Sequence, residues 1–435
     1  MHIFVSLFGL LVLLAFAWLL SHNRKAVNWR VVGWGLGIQV FFAVFIFVIP
    51  AGSRLFLFVN DVVNAVLDSA NAGTQFVFGP LALAPGTTNA AGNPSPGFIL
   101  ATQSLATIVF FAALVSILYY LGIMDRIIQG FAWLFTRLMR ISGAESLVAS
   151  SNIFVGIEAS LMVKPYLAKM TRSELNTILT AGMATIASSM LAAYVMILRN
   201  GFPTIAGHLV SASIMNAPAA IIMSKLLYPE DGQPVTLGQH VRAVREKDEG
   251  LFAAIINGAN SGVRLVVGIV ALLLAFLGLV ALVNKIFLLV GTPINSMIDV
   301  HIDWSLKGLL GYLFYPFTLL LGVPFADVGA IAKILGERVI VTEVAAFQDL
   351  AALIASNPEL SPRSVVIATY ALTGFAHVAS VAIFVGGIAA LAPERTRDLS
   401  SLGFRALLGA TLATMLTATI AGLFYTNGSI LVMNG

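Results

Sequence analysis

The chain has 435 residues, of which 59% are hydrophobic and only 10% carry a charge. Soluble domains carry about 25% charged residues, so this composition, with a mean hydropathy of +0.94, excludes a soluble enzyme, a nucleic-acid-binding protein and a disordered chain. The net charge of +4 is the excess expected of a membrane protein with Lys and Arg in its cytoplasmic loops. The chain is therefore expected to be a multi-pass membrane protein in contact with lipid and without a nucleic-acid partner.

Mostly apolar stretches of about 20 residues, the length that crosses a bilayer, occur eight times. They predict transmembrane helices at 3–21, 31–50, 98–122, 174–198, 204–227, 264–290, 365–391 and 403–426. Residues 53–78 and 123–141 mix apolar with charged and amide side chains, which indicates amphipathic helices lying in the membrane plane. The stretch 79–97 is rich in Pro, Gly, Asn and Thr and predicts an exposed loop.

Two more apolar segments, 143–168 and 314–347, are interrupted by polar residues and glycine. Most of the 24 Lys and Arg residues lie on one side of the membrane only if both segments return to the side they entered. Each segment is therefore predicted to be a re-entrant hairpin. Each is followed by two spans, and the two hairpins enter from opposite sides, which is the inverted repeat of secondary transporters with a midplane site.

The predicted fold is an all-α polytopic membrane protein with eight transmembrane helices plus two re-entrant helical hairpins in an inverted repeat. Residues 1–142 are expected to hold scaffold spans and in-plane helices, and residues 143–227 the first transport repeat. Residues 228–313 are expected to hold a linker, the scaffold span 264–290 and an in-plane helix. Residues 314–435 are expected to form the second transport repeat.

Each predicted hairpin carries a glutamate beside its polar break, Glu158 in the first and Glu343 in the second. A carboxylate within the bilayer costs roughly 2.5–3.5 kcal/mol, and the N-terminus of a following half-helix would stabilise it. Such a carboxylate accepts hydrogen bonds from the hydroxyls of a polar ligand. The structural alternative is a glutamate that pairs with a neighbouring helix; the same arrangement in both repeats favours the ligand.

The span after each hairpin is also unusual. Residues 181–189 are a run of small residues, which fits either tight helix packing or an unwound segment that exposes carbonyl groups to a cation. In the partner span, His377 and Ser380 lie three residues apart on one helical face. An imidazole within a span marks a candidate site, and it acts either as a neutral hydrogen-bonding ring, which we favour, or as a group that titrates near neutral pH.

Enzyme motifs are absent from the sequence: it contains no GxSxG, HExxH or P-loop pattern, and its six His residues are widely scattered. No catalytic residue is therefore predicted.

Four segments resemble the concentrative nucleoside transporter family. The run SNIFVGIEAS at 151–160 is similar to the family's first hairpin tip, SNIFVGQTEAP, and GERVIVTEVAAF at 336–347 is similar to its second, GEKLVLNEFVAY. The runs GFAHVAS at 374–380 and GGIAALAPER at 386–395 resemble GFANFSS and GGIGALAPER. The resemblance implies a bacterial inner-membrane homotrimer that takes up nucleosides with an elevator-like motion.

The resemblance also implies a coupling ion, and sodium is expected because the ion's ligands are oxygen donors suited to a hard cation. No other cofactor is expected. The family's ion ligands fall on two side chains and two backbone carbonyls, those of Asn152, Thr185, Val155 and Ile186.

The nucleoside-binding motif is altered. The family's base-reading Gln-Thr-Glu corresponds to Ile157-Glu158 only, the Asn before the second-tip glutamate is Thr342, and a further Asn is His377. The expected substrate-binding residues are Ile157, Glu158, Met190, Thr342, Glu343, Phe375, His377 and Ser380. The sequence therefore predicts cation-coupled uptake of nucleosides with an altered base preference. The alternative is a carrier of a modified nucleoside or another hydroxyl-rich solute, driven by sodium or by protons.

Overall fold

The computed structural model describes residues 2–89, 92–243, 248–298 and 302–425. The last residue of the predicted final span and the end of the predicted second repeat, 426–435, lie outside these ranges. The described residues form helices and turns without a β-strand. The N-terminal helices are α1 (His2–Leu19), α2 (Trp29–Phe47), α3 (Pro50–Phe78), α4 (Thr107–Tyr120) and α5 (Ile123–Met139).

The first predicted repeat begins with α6 (Gly143–Ser151), which leads through an irregular tip into a 3-10 helix (Ile157–Val163) and the short α7 (Lys164–Leu167). The next span is broken: α8 (Arg172–Ala184) and α9 (Ser188–Leu198) are separated by residues 185–187. The continuous α10 (Ile205–Leu227) follows. The run of small residues at 181–189 thus contains an unwound segment, residues 185–187, and is not a packing stripe within one helix.

The second half begins with α11 (Leu251–Ile298) and α12 (Leu306–Leu320). The second hairpin consists of α13 (Phe325–Ile340) and α14 (Glu343–Ser356). The next span is again broken, into α15 (Pro362–Leu372) and α16 (Val378–Leu391), and α17 (Thr396–Phe424) closes the fold.

Local sequence signals explain where the helices of the hairpin region start. At α6 the Ser142 side chain accepts from the Glu145 backbone N–H while the Glu145 carboxylate accepts from the Ser142 N–H. Thr171 and Glu174 form the same reciprocal pair at α8. These capping boxes satisfy the free amides of a helix N-terminus, so both helices have defined starting points at the same end of the first repeat.

The prediction differs from the structure in the limits of the second hairpin. The segment 314–347 includes the end of α12, whereas the hairpin helices occupy 325–356. The predicted domain boundary at 313/314 falls inside α12 for the same reason. α12 ends in a left-handed glycine, Gly322 with φ +85°, and α13 follows Pro324, which cannot continue a helix.

Six stretches of the described chain are long and apolar enough to cross a bilayer: Trp29–Phe47, Ala101–Tyr120, Arg172–Leu198, Ile205–Leu227, Leu251–Met297 and Pro393–Phe424. Three apolar helices are shorter, Ile3–Leu19, Leu306–Leu320 and Val378–Leu391. The protein is therefore an all-helical membrane protein, and the count of eight spans remains a prediction.

The interior is built around α10 and α17. α17 packs against α8, α10 and α15, and α10 also packs against α2 and α8. Nearly the whole of α10 is buried, and much of α17 is as well. α10 and α17, which directly follow the two broken spans in the chain, are therefore interior helices.

α11 lies at the outside and packs chiefly along α4. Its contact with α4 depends on two glycines spaced four apart, the pattern that lets membrane helices approach closely. A Cβ at position 258 would lie 2.7 Å from the Ala112 carbonyl oxygen, and one at 262 would lie 2.7 Å from the Val109 Cα. The two helices therefore touch backbone to backbone along this face.

Candidate functional site

One cavity of about 860 Å³ lies between the α4–α11 pair, the first hairpin tip and the two broken spans. Its walls combine mostly apolar side chains of α4 and α11 with polar groups from the breaks, and Arg264 of α11 and Lys164 of α7 also line it. All eight residues predicted to bind substrate line this cavity, namely Ile157, Glu158, Met190, Thr342, Glu343, Phe375, His377 and Ser380. The structure thus brings residues far apart in the sequence to one site.

Glu343 is the first residue of α14 and is only 3% exposed. Its position places the carboxylate at a helix N-terminus, where free backbone amides and the helix dipole favour negative charge. Thr342 caps the same helix, since its side chain accepts from the Ala345 N–H. The break between α13 and α14 therefore positions the carboxylate without an extended loop.

Two neighbours orient the Glu343 carboxylate. The Tyr194 hydroxyl donates to Oε1 at 2.6 Å, and Nε2 of His377 lies 2.9 Å from Oε2. Oε2 makes no further hydrogen bond to the residues that the structure describes. Because a carboxylate oxygen accepts more than one hydrogen bond, the carboxylate retains acceptor capacity for a ligand.

His377 links the start of α16 to the Glu343 carboxylate. It precedes α16 and caps it, since Nδ1 accepts from the Ser380 N–H at 3.3 Å. Because Nδ1 accepts in this contact, the ring hydrogen that faces Glu343 lies on Nε2. The Ser380 hydroxyl is 2.8 Å from Nε2. His377 thus serves as a helix cap as well as a member of the predicted helical face.

Tyr194 was not among the predicted site residues. It lies on α9, is fully buried, and stacks on Phe347 with a 4.5 Å separation between ring centroids. A tyrosine within an apolar helix usually has a packing role. The sequence feature that pointed to more was its hydroxyl, because a buried hydroxyl needs a hydrogen-bond partner. Its hydroxyl contacts Glu343, but Tyr194 itself does not line the cavity.

The other end of the cavity is formed by the first hairpin tip. Glu158 is exposed to the cavity, and its Oε2 lies 3.3 Å from where a Cβ on Gly156 would be. Ile157 packs close to α16, because a Cβ at Gly387 would lie 2.8 Å from Ile157 Cγ1. Met190 and Phe375 contribute further apolar wall. The first hairpin and α7 thus contribute one carboxylate and the Lys164 side chain to a mostly apolar part of the lining.

The four predicted ion ligands lie at the first hairpin tip and the first broken span. Asn152 and Val155 belong to the tip, and Thr185 and Ile186 belong to the break between α8 and α9. The tip and the break are joined directly, since the Ser188 N–H donates to the Phe154 carbonyl at 2.8 Å. Val155 lines the cavity, whereas the other three are buried beside it.

The donors at this junction fit a monovalent hard cation. The buried Asn152 Oδ1 accepts no hydrogen bond from the described residues. The Thr185 hydroxyl donates to the Ala181 carbonyl at 2.8 Å, so its lone pairs are available. Neutral oxygens of amide, hydroxyl and carbonyl groups are the donors that hard cations prefer.

Comparison with known proteins shows to which family the chain belongs. Three family models match. Residues 8–81 match the model described as Na+ dependent nucleoside transporter N-terminus, and residues 208–422 match its C-terminus counterpart. Residues 101–201 match the model described as nucleoside recognition. The chain is 35% identical over 429 residues to the nucleoside permease NupC of Helicobacter pylori, covering 97% of this chain and 98% of that protein. It is 38% identical over 428 residues to an uncharacterized transporter of Haemophilus influenzae, covering 98% of both.

A solved structure is similar over the same length. The structure of CNTnw in an inward-facing substrate-bound state superimposes with a TM-score of 0.86 at 34% identity, covering 98% of both chains. These relatives are transporters rather than enzymes, and the apolar helices agree with a multi-pass inner-membrane protein. The chain belongs to the concentrative nucleoside transporter family.

Proposed function

We propose that this protein couples the uptake of nucleosides to sodium and that its base preference differs from the usual preference of the family. The observation that carries the proposal is the cavity, whose mostly apolar lining includes two carboxylates, the buried Glu343 and the exposed Glu158. Few precisely placed polar groups in a mostly apolar pocket are typical of sites for small organic solutes.

The Glu343 end suits the sugar of a nucleoside. Ribose presents neighbouring hydroxyls, and Glu343 accepts hydrogen bonds while Ser380 both donates and accepts. Tyr194 and His377 hold the carboxylate in place before a ligand arrives. A preoriented acceptor loses less entropy on binding, so this end is proposed to fix the sugar.

The Glu158 end suits a base that donates two adjacent hydrogen bonds. A carboxylate only accepts, and Glu158 makes no hydrogen bond or ion pair to the described residues. The guanine edge offers a ring N–H beside an amino group, whereas the uracil edge places a single N–H between two acceptor oxygens. Because unpaired or opposed polar groups weaken binding, we propose that guanosine is preferred to uridine.

Sodium is proposed to bind Asn152, Thr185 and the carbonyls of Val155 and Ile186. Support comes from the acceptor atoms left available at the junction of the hairpin tip and the broken span. The family models that match both ends of the chain are those of Na+ dependent nucleoside transporters.

The arrangement of the transporter in the membrane is proposed from the order of the helices. A hairpin, a broken span and a continuous span occur twice, at 143–227 and at 325–424. The two copies are proposed to be inverted repeats that move together as an elevator. α11 leaves apolar side chains such as Leu274 and Leu289 exposed, a surface for lipid or for neighbouring subunits of the proposed homotrimer.

The test is uptake of labelled guanosine, adenosine and uridine into proteoliposomes that contain the purified protein. An inward sodium gradient is compared with a sodium-free control and with an inward proton gradient alone. Sodium-dependent uptake with guanosine ahead of uridine is expected. Uptake driven by protons without sodium would contradict sodium coupling and favour the alternative.

The site is tested with Glu343→Gln and a matched control, Glu359→Gln, in the exposed turn after α14. We expect Glu343→Gln to abolish uptake because an amide offers one acceptor where the carboxylate offers two, and Glu359→Gln to have no effect. Undiminished uptake by Glu343→Gln would refute the assigned site. If no nucleoside moves, the solute is another hydroxyl-rich compound, which is the second candidate function.

A further inference from the structure

Asn216 connects the two broken spans. This residue lies on α10 and is fully buried. Its Nδ2 donates to the Ala184 carbonyl at 2.8 Å and to the Thr373 carbonyl at 2.8 Å. Ala184 is the last residue of α8, and Thr373 is the residue directly after α15. One side chain therefore holds the backbone of both breaks.

The chemistry of the contact requires a primary amide. Carbonyl groups at a helix C-terminus have no partner within their helix, and a buried carbonyl left without a partner destabilises the fold. Only an Asn or Gln side chain provides two diverging N–H groups on one nitrogen without a charge. Both partners are acceptors, so the orientation of the Asn216 amide is fixed.

The two breaks also touch each other beside Asn216. Gly374 has φ +135°, a backbone conformation that favours glycine. A Cβ at this position would lie only 2.6 Å from the Ala184 carbonyl oxygen. A shift of one break is therefore transmitted to the other through backbone contact and through Asn216.

The helix that carries Asn216, α10, is itself held by hydrogen bonds to other elements. The Gln39 side chain on α2 donates to the carbonyl of the preceding residue, Met215, and to the Thr417 hydroxyl on α17, both at 3.1 Å. One turn earlier on α10, the Ser213 hydroxyl donates to the Ile153 carbonyl at 2.8 Å. Ile153 directly follows Asn152 in the first hairpin tip. α10 thus holds the hairpin tip and both breaks.

We propose that Asn216 is the positioning residue that couples ion binding to substrate binding. This inference rests on the proposed function. On one side, Ala184 directly precedes the proposed ion ligands Thr185 and Ile186. On the other side, Thr373 is two residues from Phe375 and four from His377 in the proposed substrate site. An ion that orders the first break also orders the second through Asn216, and substrate acts in the reverse direction with the same energy.

The test measures how sodium changes nucleoside affinity at equilibrium. Guanosine is titrated into the purified full-length protein by calorimetry, in sodium-free and in sodium-saturated buffer. The wild-type protein is expected to bind about tenfold more tightly with sodium, within the usual range of coupling between sites. In Asn216→Ala, the ratio of the two affinities is expected to fall towards one.

The matched control is Asn176→Ala. Asn176 is also fully buried, and its Nδ2 donates from α8 to the Ser224 hydroxyl of α10 at 2.7 Å, away from both breaks. A role in packing alone predicts the same result for both variants. An unchanged ratio in Asn216→Ala overturns the inference while leaving sodium coupling intact. A ratio of one in the wild-type protein refutes both sodium coupling and the inference.

A second measurement needs no variant and decides the question if Asn216→Ala fails to fold. Hydrogen–deuterium exchange of the wild-type protein is followed with and without sodium, in the absence of nucleoside. Sodium is expected to slow exchange at 185–188 and also at 373–378. Protection confined to the hairpin tip and 185–188 would overturn the inference.

Discussion

Tyr194 of α9 donates its hydroxyl hydrogen to Oε1 of Glu343 at 2.6 Å, from a position outside the cavity that Glu343 lines. The ring is held by stacking on Phe347, so the hydroxyl approaches the carboxylate from a fixed direction. The first and second halves of the chain therefore meet at the carboxylate, and a residue that lies behind the cavity wall controls the direction in which the carboxylate faces.

Tyr194→Phe tests this contact. The change keeps the stacked ring and removes one hydrogen bond to a charged group, a contact worth about 1.5–3 kcal/mol. We expect the KM for nucleoside uptake to rise about tenfold or more. Tyr370→Phe is the control, because Tyr370 is equally buried and its hydroxyl contacts Ser211 at 2.6 Å, away from the cavity. Equal KM values for both variants would show that Tyr194 only packs.

Glu158→Gln tests the proposed base preference. A carboxamide presents one donor and one acceptor, which complements the alternating edge of uracil better than a carboxylate does. We expect uridine uptake to rise relative to guanosine uptake by about tenfold, the effect of one hydrogen bond of 1.4 kcal/mol. Competition between the two labelled nucleosides in one proteoliposome assay measures the ratio. An unchanged ratio would mean that Glu158 does not contact the base.

His377→Asn tests the neutral ring. Asparagine is among the preferred helix-capping residues, and its amide also donates a hydrogen bond to Glu343 if it reaches it. We expect uptake to be retained, whereas His377→Leu is expected to reduce it by more than tenfold because both hydrogen bonds are lost. If His377→Asn abolishes sodium-driven uptake as completely as His377→Leu, the imidazole has a role that capping and donation do not explain.

Gly374→Ala tests the contact between the breaks. The added Cβ meets the Ala184 carbonyl oxygen at 2.6 Å, and the residue adopts a positive φ, so the expected loss of stability is about 1–3 kcal/mol. Thermal unfolding of the purified protein measures the loss. Gly386→Ala in α16 is the control, since nothing lies within 4 Å of a Cβ there and alanine favours a helix. Equal melting temperatures for the two variants would contradict the close approach.

The hairpin tips were predictable because polar residues such as Asn152, Glu158 and Glu343 stand out in apolar segments. The break at 185–187 was not decided by the sequence, since small residues are suited to both packed helices and unwound segments. Asn216 carried a usable signal, a lone amide in an apolar span, whose importance depends on partners far away in the sequence. The predicted limits of the second hairpin are wrong because Gly322 and Pro324 separate α12 from α13, a boundary that the apolar pattern of 314–347 does not show.

The glycine-mediated contact between α4 and α11 has a mechanical consequence. At Gly258 and Gly262 the backbone of α11 approaches α4 with no α11 side chain in between, so the two helices have little room to shift against each other there. The opposite wall is made of chain breaks, in which backbone groups depend on single side chains such as Asn216. The wall made of chain breaks is therefore expected to deform more easily than the wall made of α4 and α11. We therefore expect a bound solute to displace the broken helices more than it displaces α4 and α11.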